Sequence, residues 1–216
     1  MKSLKRLGLA AMLALTGCAA PYKISTTPYS NELTDFVDTK KPNAVFVFPI
    51  SYHNLAFYNY REEEFLYHLA EKYDVYAIIA ENENEVYSAL NKMNKSGVDV
   101  LLLNGHGSPE SLCLSIAEDE KYCLDTSDFE LKESLKCLNK GAEIFLFSCN
   151  TGKDKNKGKN LANFLADISK RKVIAPDGIP KQRIARFRPP FALDFYADRK
   201  VLGFIPWSTN ITYRTN

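Results

Sequence analysis

Val98-Asp-Val-Leu-Leu-Leu-Asn-Gly-His-Gly-Ser108 and Ala142-Glu-Ile-Phe-Leu-Phe-Ser-Cys-Asn-Thr-Gly152 share one pattern: an apolar run of strand length, a small or polar stop, then one reactive side chain. His106 stands just past the first run and Cys149 just past the second. Neighbouring parallel strands of an open α/β sheet deliver such residues to one carboxyl-end crevice, where sites usually form. A thiol beside an imidazole base is the minimum for covalent acyl transfer.

The rest of the chain alternates in the way a parallel sheet requires. Asn43–Pro49 is an apolar run consistent with a buried strand, and Asp74–Ala80 is a second. Between them, Tyr60–Lys72 carries Phe65, Leu66, Leu69 and Ala70 at helical spacing behind three glutamates, which suit a helix amino terminus. Glu83–Lys95 is the next helix, stopped by Ser96-Gly97, and the strand Val98–Leu103 follows. Residues 111–125 read as a hairpin that interrupts the alternation. Asp128–Asn139 then reads as a helix with Gly141 as its stop, and Glu143–Ser148 as the strand that delivers Cys149. Asn160–Ser169 is helical, and Lys172–Ala175 is a further strand closing on Pro176-Asp177-Gly178. Phe191–Tyr196, Val201–Pro206 and Ile211–Tyr213 are short strands or loops at the sheet edge. The expected architecture is α/β, a three-layer sandwich around a mostly parallel sheet, with right-handed crossovers and an inserted β-hairpin.

The amino terminus stands apart. Lys2, Lys5 and Arg6 precede an apolar segment, Leu7–Leu15, too short to span a membrane, followed by Leu15-Thr16-Gly17-Cys18-Ala19. This resembles a bacterial lipoprotein signal. The resemblance implies cleavage before Cys18, lipidation of that cysteine and an envelope location, with Ala19 pointing to the outer membrane. Residues 1–17 are accordingly read as signal peptide, 18–40 as a flexible tether and 41–216 as one domain. The formal net charge is +2, and loss of the signal's three basic residues leaves the mature chain near neutral. No nucleic-acid surface is implied. The basic run Lys153–Lys159 reads as a solvated loop, and a monomer is expected.

Export permits disulfides. Cys113 and Cys123 lie in two short apolar runs that a hairpin would bring face to face, so a bridge or two buried thiols are both open. A bridge through Cys149 would remove the nucleophile.

Gly105 and Gly107 flank His106 and let backbone pass close to a bound peptide. The amides of Gly107 and Cys149 are candidate oxyanion donors, and Asn104 or a backbone carbonyl is a candidate orienting group for the imidazole. The bland reading of each residue alone is a core cysteine and a surface histidine. It leaves unexplained why polarity rises so sharply at both strand ends. An apolar strand ending in Gly-His-Gly-Ser, then a second ending in Ser-Cys-Asn-Thr-Gly, resembles the caspase-like clan of cysteine peptidases. That clan (clan CD) includes caspases, legumain, clostripain, gingipains and toxin self-processing domains, and the likeness covers roughly residues 43–180. It implies a caspase-like sheet with strand order 2-1-3-4 plus edge strands and a His106–Cys149 dyad acting on extended peptide or protein substrates. The chain lacks the caspase Gln-Ala-Cys-x-Gly sequence and an obvious toxin-type pocket for inositol phosphate.

His53, after the first strand, is a candidate lining residue of the cleft, and Asp177 a candidate floor of a pocket for Arg or Lys. An ordinary Asp-Gly turn competes for Asp177. His68 reads as a partly exposed helix residue. His53, His106 and Cys149 include no close ligand pair, so no metal is expected. Without a dinucleotide fingerprint or phosphate loop, no cofactor is expected either. The functions open from sequence are a membrane-tethered cysteine endopeptidase, an inactive caspase-like lipoprotein that binds a protein partner through the same cleft, and a purely structural envelope lipoprotein, which leaves both strand-end motifs unexplained.

Overall fold

The structure, a computed structural model, describes residues 22–24, 41–49, 68–115, 122–153 and 160–179. It also describes strands at 182–186, 192–197, 207–208 and 210–213. The signal segment, Cys18, His53 and Val201–Pro206 lie outside these residues. Among the described residues no helix is long and apolar enough to cross a membrane.

The frame is built from five parallel strands: β2 (Asn43–Pro49), β3 (Asp74–Ala80), β4 (Val98–Asn104), β8 (Leu138–Phe147) and β9 (Lys172–Pro176). Two antiparallel strands close its edges, β1 (Tyr22–Ile24) on β3 and β13 (Asn210–Tyr213) on β9. The seven-stranded order is β1-β3-β2-β4-β8-β9-β13, which runs 2-1-3-4 through the first four parallel strands. Two small antiparallel sheets complete the described strands. One joins β10 (Gln182–Arg186), β11 (Ala192–Ala197) and β12 (Trp207–Ser208), and the other joins β5 (His106–Gly107), β6 (Ser111–Cys113) and β7 (Cys123–Asp125).

Both faces of the parallel sheet are buried, which is why its strands read as continuous apolar runs rather than alternating ones. Val45, Val47, Ile78, Leu101, Leu103, Ile144 and Leu146 face one helical layer, made of α1 (Glu83–Lys92), α2 (Leu131–Ser134) and α3 (Leu161–Ser169). Their strand neighbours Phe46, Phe48, Val75, Ala77, Leu102, Phe145 and Phe147 face the other way, onto Leu69, Ala70 and Tyr73. Residues 68–72 are helical and are the described part of the helix expected over Tyr60–Lys72. A mostly parallel sheet therefore lies between helices on both faces, as the alternation predicts.

Local sequence sets the helix ends. The Asn82 side chain caps α1, accepting from the Glu85 N–H at 3.1 Å, while Glu85 Oε2 accepts from the Glu81 N–H, one residue before the cap, at 2.8 Å. Asn160 caps α3, accepting from the Asn163 N–H at 2.8 Å.

Three sequence expectations need correction. The helix expected over Asp128–Asn139 is confined to α2 and a 3-10 turn, Leu135–Cys137, and strand β8 begins already at Leu138. Gly141 is not a helix stop; it lies in β8 where the register against β4 shifts between Val98/Leu138 and Val100/Glu143. The cause is tertiary. Arg171 donates to the Leu138 and Asn139 carbonyls at 3.0 and 2.8 Å, and Asn139 donates to Asp99 Oδ1 at 2.8 Å, so this segment is held in the extended state against weak local helix preference. Tyr22–Ile24, read as tether, is instead an edge strand that pairs with the outer backbone groups of β3. The expected hairpin is present, and Cys113 and Cys123 are joined in a disulfide.

Candidate active site

Strands β4 and β8 lie side by side and end level, with Asn104 opposite Phe147. The ladder continues one step further, the Gly105 N–H donating to the Phe147 carbonyl at 3.4 Å. Past that point the chains cross closely. A Cβ on Gly107 would fall 2.1 Å from the Cys149 carbonyl oxygen, 2.7 Å from the Cys149 nitrogen and 2.8 Å from Ser148 Cβ. No side chain fits there, so glycine is what allows the histidine loop to rest on the cysteine loop. His106 and Cys149 are thereby carried by two abutting backbones at one edge of the sheet, both half-buried. Cys149 is a thiol outside any disulfide.

The cysteine loop is bound from several sides. Ser148 and Thr151 are buried, with their hydroxyl oxygens 3.0 Å apart. Asn150 takes a left-handed conformation, φ 59°, which asparagine tolerates better than most residues. Its N–H donates to the Gly178 carbonyl at 2.9 Å, and the Gly152 N–H donates to the Pro176 carbonyl at 2.9 Å. Helix α3 then ties the two loops together. The Leu161 N–H donates to the Pro109 carbonyl, just after the histidine, at 2.8 Å, and the Ala162 N–H donates to the Thr151 carbonyl at 3.2 Å. These are amide groups that a helix leaves unpaired at its start. Here they are spent on positioning the loops.

Asn104, the last residue of β4, is 1 % exposed, and its Oδ1 finds no hydrogen-bond partner among the described residues. A buried acceptor left unpaired costs roughly 1–3 kcal/mol, and it lies two residues from His106. Asp177 is exposed, in a bend between Pro176 and Gly178, both of which bond the cysteine loop. It thus sits in the segment that holds the cysteine loop. His68 is exposed, with Nδ1 3.8 Å from Glu71 Oε1. The other thiol, Cys137, is 2 % exposed, and burial pushes its pKa up to about 12, which keeps it protonated and inert.

Sequence reasoning singles out His106, Cys149 and the flanking glycines but misses the framework that holds their loops: Ser148, Thr151, Asn160 and the amino end of α3. The signal available for Asn160 is its place immediately before an apolar periodic run, a capping position.

Fold and site together define an α/β protein with a thiol loop and an imidazole loop joined at the carboxyl edge of a mostly parallel sheet. The chain belongs to the family described as a domain of unknown function, DUF8616, whose family model matches residues 74–181, half of the chain. The matched span runs from β3 past β9 and contains both loops. No curated protein matches the sequence.

Proposed function

We propose that this protein is a cysteine endopeptidase of caspase-like fold, held at the bacterial envelope through a lipid on Cys18. The observation that carries the reading is the abutment of Gly107 on Cys149, which brings the only two loops bearing a half-buried histidine and a half-buried thiol, among the described residues, to one point. The strand order 2-1-3-4 and the hairpin between His106 and α2 support the same reading, because both are features that the resemblance implies.

In this mechanism His106 takes the proton from Cys149, and Sγ attacks the scissile carbonyl carbon. His106 then returns the proton to the leaving amine, and water hydrolyses the thioester. The amides of Gly107 and Cys149, brought together by the same close approach, are the donors assigned to the oxyanion. The test is cleavage of a diverse peptide library by the full chain beside its Cys149→Ala variant. Cleavage confined to the intact protein is expected, and the cut sites give the residue preferred before the scissile bond. Equal cleavage by the two proteins, or none by either, refutes the proposal.

A further inference from the structure

His106 does not belong to the seven-stranded sheet. It follows the bend at Gly105 and sits in β5, a strand of two residues. Among the described residues β5 pairs with β6, which in turn pairs with β7, each of three residues. Isolated pairings of that length are marginal in water. The register shows what reinforces them: His106 lies opposite Cys113, and Cys113 lies opposite Cys123. The disulfide therefore occupies the same row of the small sheet as the histidine. The chain entering that row rests on the same residue, since a Cβ on Gly105 would fall 2.5 Å from the Cys113 carbonyl oxygen and 2.7 Å from Leu112 Cδ2. Both sulfur-bearing residues are buried, Cys113 at 7 % and Cys123 at 5 %, and their chain neighbours Leu112, Leu114 and Leu124 are fully buried.

Building on the peptidase reading, we infer that the Cys113–Cys123 disulfide is the positioning element of His106, so that a reactive dyad assembles only after these two thiols have been oxidised. None of the described pairings of the seven-stranded sheet involves the bond, whereas the histidine arm carries it. In the oxidation, both cysteine thiols give up their protons and two electrons to a disulfide oxidant, which leaves as two thiols, and one S–S bond forms. Such oxidants act in exporting compartments and are opposed in reducing ones. A chain still in a reducing compartment thus carries Cys149 without an aligned base.

The test measures alkylation of Cys149 by iodoacetamide, resolved by peptide mapping, across the neutral and alkaline range. It compares the oxidised full chain with His106→Ala, Cys113→Ala/Cys123→Ala and Cys113→Val/Cys123→Val, the last refilling the apolar row. At neutral pH the native thiol is expected to react about tenfold or more faster than that of His106→Ala. Both disulfide-free chains are expected to keep their circular dichroism yet fall to the His106→Ala rate, with a pH profile matching that of His106→Ala. A folded disulfide-free chain with the native rate and profile overturns the inference and leaves the peptidase reading standing. Loss of the whole fold in both pairs overturns it too, because the bond would then serve the core. Equal rates in the native chain and His106→Ala overturn the peptidase reading, and the inference with it.

Discussion

Replacing Gly107 by alanine tests whether the two loops are held at contact. The new methyl carbon would sit 2.1 Å from the Cys149 carbonyl oxygen, whereas ordinary contact begins at 3.4 Å. The backbones must therefore part by about 1.3 Å, and the two nearest atoms in the way are main chain, which cannot rotate aside as a side chain would. β8 is anchored in the buried sheet, so the displacement falls on β5, the two-residue strand that carries His106. Overpacking of this kind costs typically ~1–3 kcal/mol. A misplacement of ~1 Å between reacting groups costs about a hundredfold in rate. The assay is a thermal melt beside the rate of Cys149 alkylation at neutral pH, with Gly141→Ala as the control. A methyl added at Gly141 would meet nothing within 4 Å, and alanine there is expected to be neutral or slightly stabilising. An unchanged melting temperature together with a native alkylation rate in Gly107→Ala would refute the close crossing from which the site is built.

Two further outcomes follow from the same geometry. Asn160→Ala removes the cap on Asn163 and the bond from Asn160 Nδ2 to the Lys153 carbonyl at 2.8 Å, so a loss of about 1–2 kcal/mol in a denaturant titration is expected. Faster amide exchange at Leu161 and Ala162 should accompany it. Burial first, and then the neighbouring Asp128 carboxylate, push the Glu83 carboxyl up to about 7. The folded chain thus holds this proton more tightly than the unfolded one. The associated stability is complete below the ordinary glutamate pKa and is lost as pH rises through about 7. After allowance for solvent screening of this partly exposed group the loss is of order 1 kcal/mol. Melting temperatures of Glu83→Gln should lack this decline; a parallel decline in both proteins would refute the assignment.

The parallel frame is legible in the sequence because its strands are buried on both faces. Asn43–Pro49 and Asp74–Ala80 are read to the residue from unbroken apolar runs, and His106 and Cys149 stand out because such runs stop at them. Legibility fails where distant groups decide. The extended start of β8 depends on Arg171, more than thirty residues downstream, and the edge strand at Tyr22–Ile24 depends on the open side of β3. Whether Cys113 and Cys123 bond is set by the cross-strand register, which spacing alone leaves open. The joining of the two loops by α3 could not be read either, since it is made by main-chain amides that carry no residue signature.

The bond from Asn160 to the Lys153 carbonyl also separates what the protein must keep from what it can change. It fastens the two ends of the lysine-rich stretch 154–159 to each other, so that the thiol loop on one side and the helix on the other stay in register whatever lies between. That stretch is therefore the natural place for variation. Exchanges of length or charge there are expected to leave the positions of the thiol loop and of α3 unchanged.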